Sequence, residues 1–241
     1  MIRTLPSIEQ GNDARLNNII KGTSDIFFQE KIDGSELTIF KKDGELHYYN
    51  KNKKINPKGK PWLNAYLSLN SQPHLFKENY FYHGEAMTKK CTNVNPYERT
   101  PHFFWIVYEI VREDNYMLSP SEMNELLKGT NIETVETILT LNPEVYSKDD
   151  YNLSATISDI MKDVSEGTIG SSLGGKMEGV VMKTCRKMEN DKYKVTRYKY
   201  VRPEFSEIHR DKSKRLEHKS KEFTDDEFIE YIGEMFNVPA R

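Results

Sequence analysis

The chain has 241 residues, 37% hydrophobic and 30% charged, with a formal net charge of −2. That length supports one substantial core and a small appendage, and no apolar run is long enough to cross a bilayer. Cys91 and Cys185 lie far apart without metal-ligand spacing, which argues against a disulfide framework or a zinc site.

The first residues lack the apolar middle of a signal peptide, so a cytoplasmic location with no membrane partner is expected. Residues 12–21 suit a short helix ending at Gly22. Strands are expected at 25–32, 35–41 and 44–50, the last two joined by Asp43-Gly44, a favoured two-residue turn. The earlier Asp33-Gly34, in "EKIDGSEL" (residues 30–37), is surplus to that turn. "PKGKPWLNAYLSLN" reads as a helix with Pro61 at its first position. "NYFYHGEAM" and "HFFWIVYEIV" are aromatic and β-branched runs expected as buried strands.

In "LSPSEMNELLKG" Ser119 caps a helix, Pro120 opens it, Glu122 closes a capping box and Gly129 ends it. Another helix fits 153–164. After "SEGTIGSSLGGKM", strands fit 178–183 and 193–201. The charged tail carries a capping box at Thr224 and Glu227 and an apolar stripe of Phe228, Tyr231, Ile232 and Met235, a helical pattern. The sum is an α+β domain over 1–206 with a short helical tail over 207–241. Basic residues outnumber acidic ones from Arg186 to Lys221. Such a segment is a solvated face or a phosphate-binding surface.

Five motifs occur in order: Lys31-Ile32-Asp33-Gly34, then Gly84-Glu85, Tyr108-Glu109, "MEGVVMK" with Glu178 and Lys183, and "RYKY" with Arg197 and Lys199. A lysine can accept a nucleotidyl group if its amine is neutral at the moment of attack, which partial burial and nearby cations favour. Cations such as Lys183 and Lys199 suit the phosphate charge. Glu178 offers oxygen to a hard cation. Arg197 and Lys199, two apart, share a strand face. The plainer readings are a surface lysine in a turn for Lys31, a core aromatic for Tyr108, and a solvated loop for Lys51 with Lys53 and Lys54.

This ordered set resembles the covalent nucleotidyltransferase superfamily, which includes polynucleotide ligases and mRNA capping enzymes, over about Phe28 to Glu207. Glu30 directly before Lys31, and Phe205-Ser206-Glu207 after the basic pair, are similar to its RNA ligase 2-like branch. The resemblance implies an adenylation domain of antiparallel sheets flanked by helices. It implies ATP, Mg²⁺ or Mn²⁺, and a nucleic-acid partner, RNA or a nicked duplex. Lys31 would form lysyl-AMP. Glu30, Ile32, Asp33, Gly34 and Lys51 would line the nucleotide, Glu85 would contact ribose and Tyr108 would stack on adenine. Glu178 would hold the metal, and Lys183, Arg197 and Lys199 the phosphates.

Two positions depart from the pattern. Arg197 replaces the first lysine of the usual Lys-x-Lys pair, and the two cations bind phosphate differently. Glu36 stands where this branch has Asn, and DNA ligases and capping enzymes have Arg; a glutamate there repels phosphate. A GTP-dependent capping-type guanylyltransferase, a DNA ligase and a non-catalytic nucleic-acid-binding relative are the alternatives. His83 reads as a core or surface histidine beside Glu85, and His209 and His218 belong to the basic tail.

Overall fold

Strands alternating between two faces need a partner on each buried face, and this chain meets the need with two sheets. The computed structural model describes residues 9–10, 25–51, 53–90, 95–142, 153–188, 193–202 and 205. The N-terminal half runs β1 (Glu9–Gln10), β2 (Ile26–Lys31), β3 (Ser35–Lys42), β4 (Glu45–Asn50), β5 (Lys53–Lys54), α1 (Leu63–Leu69) and β6 (Tyr80–Ala86). Then come β7 (Trp105–Arg112), α2 (Pro120–Leu127), β8 (Glu133–Thr134), β9 (Thr137–Leu141), α3 (Leu153–Glu166), β10 (Gly179–Lys187) and β11 (Tyr193–Val201).

One sheet has the order β1-β11-β10-β2-β9 and the other β5-β4-β3-β6-β7-β8. Pairing is antiparallel except for β1 with β11 and β7 with β8. The outer face of the six-stranded sheet packs Leu37, Ile39, Tyr82, Trp105, Val107 and Ile110 against α1 and α2. The outer face of the five-stranded sheet packs Ile26, Phe28, Val180 and Met182 against Ile160 and Val164 of α3. Burying each such side chain contributes on the order of 1.5–3 kcal/mol. No helix among the described residues is long and apolar enough to cross a membrane.

The α+β architecture and the three early strands match the sequence reading. The capping box of α2 is formed as read: Ser119 accepts from the Glu122 backbone, and the Glu122 side chain accepts from the Ser119 backbone. Several boundaries differ. α1 starts at Leu63, with Pro61 in the turn ahead of it, because the Gly59 carbonyl accepts both Trp62 N and Leu63 N at 3.0 Å. His102–Phe104 forms a 3₁₀ turn before β7, and its Phe104 carbonyl accepts from Met87 N at 2.8 Å. β10 runs on to Lys187 because β11 pairs with it throughout, so Lys183 sits in mid-strand. α3 continues to Glu166. The helix expected at 12–21 and the tail over 207–241 lie outside the described residues.

The inner faces meet across a largely polar interior. β7 turns two consecutive residues toward it. His83 opposes Glu109 while Gly84 opposes Val107, so Tyr108 is the extra residue of a β-bulge. Trp105 and Val107 before it, and Ile110 after it, all reach the outer core, a change of phase that the extra residue produces. Gly84 sits at this point because a Cβ there would lie 2.5 Å from both the Ile106 carbonyl oxygen and Trp105 Nε1. Gly84→Ala is therefore expected to lower the unfolding free energy by about 1–3 kcal/mol, read from the midpoint of urea denaturation.

Candidate active site

Lys31 ends β2, and the chain crosses from one sheet to the other through Ile32, Asp33 and Gly34 alone. This crossing explains the surplus Asp-Gly. The Asp33 backbone N–H donates to Tyr97 Oη at 2.7 Å, and Asp33 Oδ2 accepts from Asn95 N at 2.8 Å. A Cβ on Gly34 would lie 2.7 Å from the Glu85 Cβ, so only glycine lets the crossing pack on β6. Ile32 is buried with Met87, Tyr97, Ile106 and Leu173. Its side chain belongs to the core, which leaves its main chain beside the site.

Lys31 Nζ donates to Glu178 Oε2 at 2.8 Å; the lysine side chain is 23% exposed and the glutamate 2%. The nucleophile candidate is thus reachable and held in place. The cations expected around it lie further along the sheet, and its ion-pair partner is a carboxylate. Glu85 is half-buried opposite Glu36 on β3. Burial pushes its carboxyl up to about 8, with Lys31 opposing and Glu36, Glu178 and Asp33 adding to the rise. Glu30 points to the other face of β2. Its carboxylate accepts from Ser171 Oγ, from Ser172 N at 3.0 Å and from Ser172 Oγ at 2.6 Å, anchoring the loop that leads to Glu178. Burial raises its pKa.

The cations form a ladder down the inner face of the five-stranded sheet. Gly179 lies opposite Lys31 and Val201, Val181 opposite Gln29 and Lys199, and Lys183 opposite Phe27 and Arg197. Each step is roughly 7 Å, so half-buried Lys199 is nearer the level of Lys31 than Arg197 is. At the far end, Arg197 makes a two-pronged ion pair with Glu109, with Nε to Oε2 at 2.8 Å. Lys183 Nζ donates to the Tyr108 carbonyl at 2.5 Å, lies 3.8 Å from Glu109 Oε2 and sits 4.8 Å from the Tyr108 ring centroid. All three charges are buried. Burial lowers the Lys183 ammonium to about 8, with Glu109 opposing and Arg197 assisting. Burial would raise Glu109, but Arg197 and Lys183 hold its carboxyl down to about 2. His83, hydrogen-bonded to Thr38 Oγ1 at 2.8 Å, is lowered by burial to about 4 and is neutral at pH 7.

The sequence reading named Glu109 only as Tyr108's neighbour. A lone carboxylate inside a buried β-branched strand is the signal that marks it. Asn95, Tyr97, Ser171 and Ser172 carry no such signal. Glu36 also has a definite partner: its Oε1 accepts from Lys51 N at 3.0 Å. Burial raises its carboxyl, with Lys51 opposing.

Glu109→Gln leaves the Arg197 guanidinium without its counter-charge, at an expected cost of about 3–5 kcal/mol. The wild-type contribution is full above about pH 4.5, the ordinary carboxylate value, and is lost as the pH falls toward 2. Urea unfolding between pH 2 and 7 should therefore show a smaller acid-induced loss in the variant.

An RNA ligase family model matches residues 24–201. A search of curated proteins finds no match. Among solved structures, an archaeal ATP-dependent RNA ligase is similar at 16% identity and a TM-score of 0.59, covering 98% of this chain and 62% of that one. A Naegleria gruberi RNA ligase variant with ATP and Mn is 17% identical with a TM-score of 0.58, covering 87% and 59%. A putative ATP-dependent DNA ligase from Aquifex aeolicus is 19% identical with a TM-score of 0.53, covering 98% and 58%. The chain spans about three-fifths of the length of these structures. Its two facing sheets have their nucleotidyltransferase fold, and the matched segment takes in Lys31, Glu178 and the whole cation ladder: the chain belongs to the RNA ligase family.

Proposed function

We propose that the protein is an ATP-dependent RNA ligase that joins a 5′-phosphate end to a 3′-hydroxyl through a lysyl-AMP intermediate. The observation that carries this reading is the reachable Lys31 amine, held 2.8 Å from the buried Glu178 carboxylate at the head of a cationic ladder. Lys31 gives up a proton to solvent, and its neutral Nζ attacks the α-phosphorus of ATP. The N–P bond forms, the α,β-anhydride bond breaks and pyrophosphate leaves. The 5′-phosphate of the RNA then attacks the same phosphorus, breaking the N–P bond and leaving the end adenylylated. Attack by the 3′-hydroxyl closes the phosphodiester and releases AMP.

Lys199 stabilises charge on the phosphates, Lys183 adds to the positive field from the closed end of the ladder, and Glu178 orients the amine. Residues 1–206 would form this adenylyl-transfer unit, with 207–241 as an appendage. Glu178 is also the residue that would hold Mg²⁺ or Mn²⁺. Glu178 presents a buried carboxylate whose oxygen reaches the head of the cleft beside Lys31, a hard oxygen donor that suits such a cation. No three potential ligand side chains converge among the described residues, so substrate oxygens and water would complete the shell, as Mg²⁺ prefers. Bound there, the ion supplies charge neutralisation on the phosphates.

The test is the intact mass of the protein after incubation with Mg²⁺ and either ATP or GTP. An AMP adduct on the wild type and none on Lys31→Ala is the expected result. A GMP adduct would favour the capping chemistry. A folded protein that takes up neither nucleotide and was not adenylylated on purification would overturn the ligase reading. Lys199→Ala should slow adduct formation about 100-fold with little change in thermal unfolding.

A further inference from the structure

Glu30 stands next to Lys31 but on the opposite face of β2, where it is buried. Its carboxylate takes three donors from one short segment: Ser171 Oγ, Ser172 N and Ser172 Oγ. That segment is a tight loop. Gly170 bridges Lys176, Ser171 N donates to the Gly175 carbonyl at 3.0 Å, and Gly174 N donates to the Ser171 carbonyl at 2.9 Å. Gly174 has a φ of 81°, and a Cβ on it would lie 2.7 Å from the Glu98 Cβ. Glycine is needed there on both counts.

The loop is seated between the two sheets' connecting segments. Leu173 is buried with Ile32, Tyr97 and Val135, and its carbonyl accepts from Arg99 N at 3.1 Å. The Lys176 carbonyl accepts from Asn95 Nδ2 at 2.6 Å. Two residues on stands Glu178, one residue before the ladder that pairs Gly179 with Lys31 begins. Arg202 N fixes the Glu178 carbonyl at 3.0 Å on the β11 side; the loop fixes it on the other. One segment therefore grips the end of β2 from both faces. Glu178 holds Lys31 on the inner face, and Ser171 with Ser172 holds Glu30 on the outer face.

We propose that Glu30 is a positioning residue, whose serine clasp keeps the Glu178 segment in register with Lys31 while the Lys31–Glu178 ion pair is broken and remade. The assignment rests on the ligase reading for the chemistry. In that reaction the Lys31 ammonium becomes a phosphoramidate nitrogen when the N–P bond forms, which ends the ion pair. The clasp takes no part in the bond changes and outlasts them. Hydrogen bonds to a buried carboxylate are charge-assisted and strong, and three of them fix its orientation. Glu30 thus acts through Ser171 and Ser172 on Glu178, without touching the nucleotide.

The experiment follows AMP-adduct formation in single turnover across an ATP series, for the full chain, Glu30→Gln and Ser171→Ala/Ser172→Ala. Amide hydrogen exchange of residues 170–178 is read on the same samples. A reacting group displaced by about 1 Å loses about 100-fold in rate. Each variant should therefore form the adduct about 100-fold more slowly at saturating ATP, with its ATP half-saturation unchanged and faster exchange over 170–178. Combining the variants should cost no more than Glu30→Gln alone, because both remove one contact. An unchanged maximal rate would overturn the proposal. So would a raised ATP half-saturation at an unchanged rate, which would make Glu30 a nucleotide contact. If the wild type forms no adduct, the ligase reading fails and exchange decides the clasp: faster exchange in the variants sustains it, and unchanged exchange overturns it.

Discussion

Glu109 is the constraint on which the interior depends. Two sheets packed face to face ordinarily interdigitate apolar side chains, whereas these two enclose a guanidinium, an ammonium and several carboxylates. Buried charges are tolerated only when paired and hydrogen-bonded. Glu109 meets that condition for Arg197 and Lys183 together, reaching from β7 to cations on the opposite sheet. The bulge at Tyr108 makes the reach possible, because in an unbroken strand Glu109 would share the outer-core face with Trp105 and Val107.

This arrangement divides the labour among the cations. Arg197 is committed to Glu109 by two parallel bonds, the geometry in which arginine differs most from lysine. Its appearance in place of the usual lysine is then a structural choice: a strut between sheets at the closed end of the cleft. Lys183 shares that end, with a carbonyl and a carboxylate as partners. Half-buried Lys199, one step nearer Lys31, is the ladder's accessible charge.

Much of this was legible in the sequence, for identifiable reasons. Turn and cap residues act locally, so the Asp43-Gly44 hairpin and the Ser119 capping box could be read directly. The order of Lys31, Glu85, Glu178, Lys183 and Lys199 identified the family because each motif has its own chemistry. The partners of Glu30, Asp33 and Glu36 were not legible. Ser171, Asn95 and the Lys51 backbone are brought to them by tertiary packing, and nothing in their own neighbourhoods announces it. Element ends slipped for the same reason: β10 runs to Lys187 because its partner does, and α1 starts after a turn closed by Gly59.

The crossing at Ile32–Gly34 has a mechanical consequence. The described residues contain one other passage between the sheets, Val135 and Glu136 between β8 and β9. The two passages lie side by side: Glu30 N donates to the Glu136 carbonyl at 2.9 Å, and Ile32 packs with Val135. The two tethers fix the sheets to each other at the level of Lys31, and the Arg197–Glu109 ion pair fastens them again at the closed end of the cleft. Lys31 is thus set at a joint that is braced from two sides.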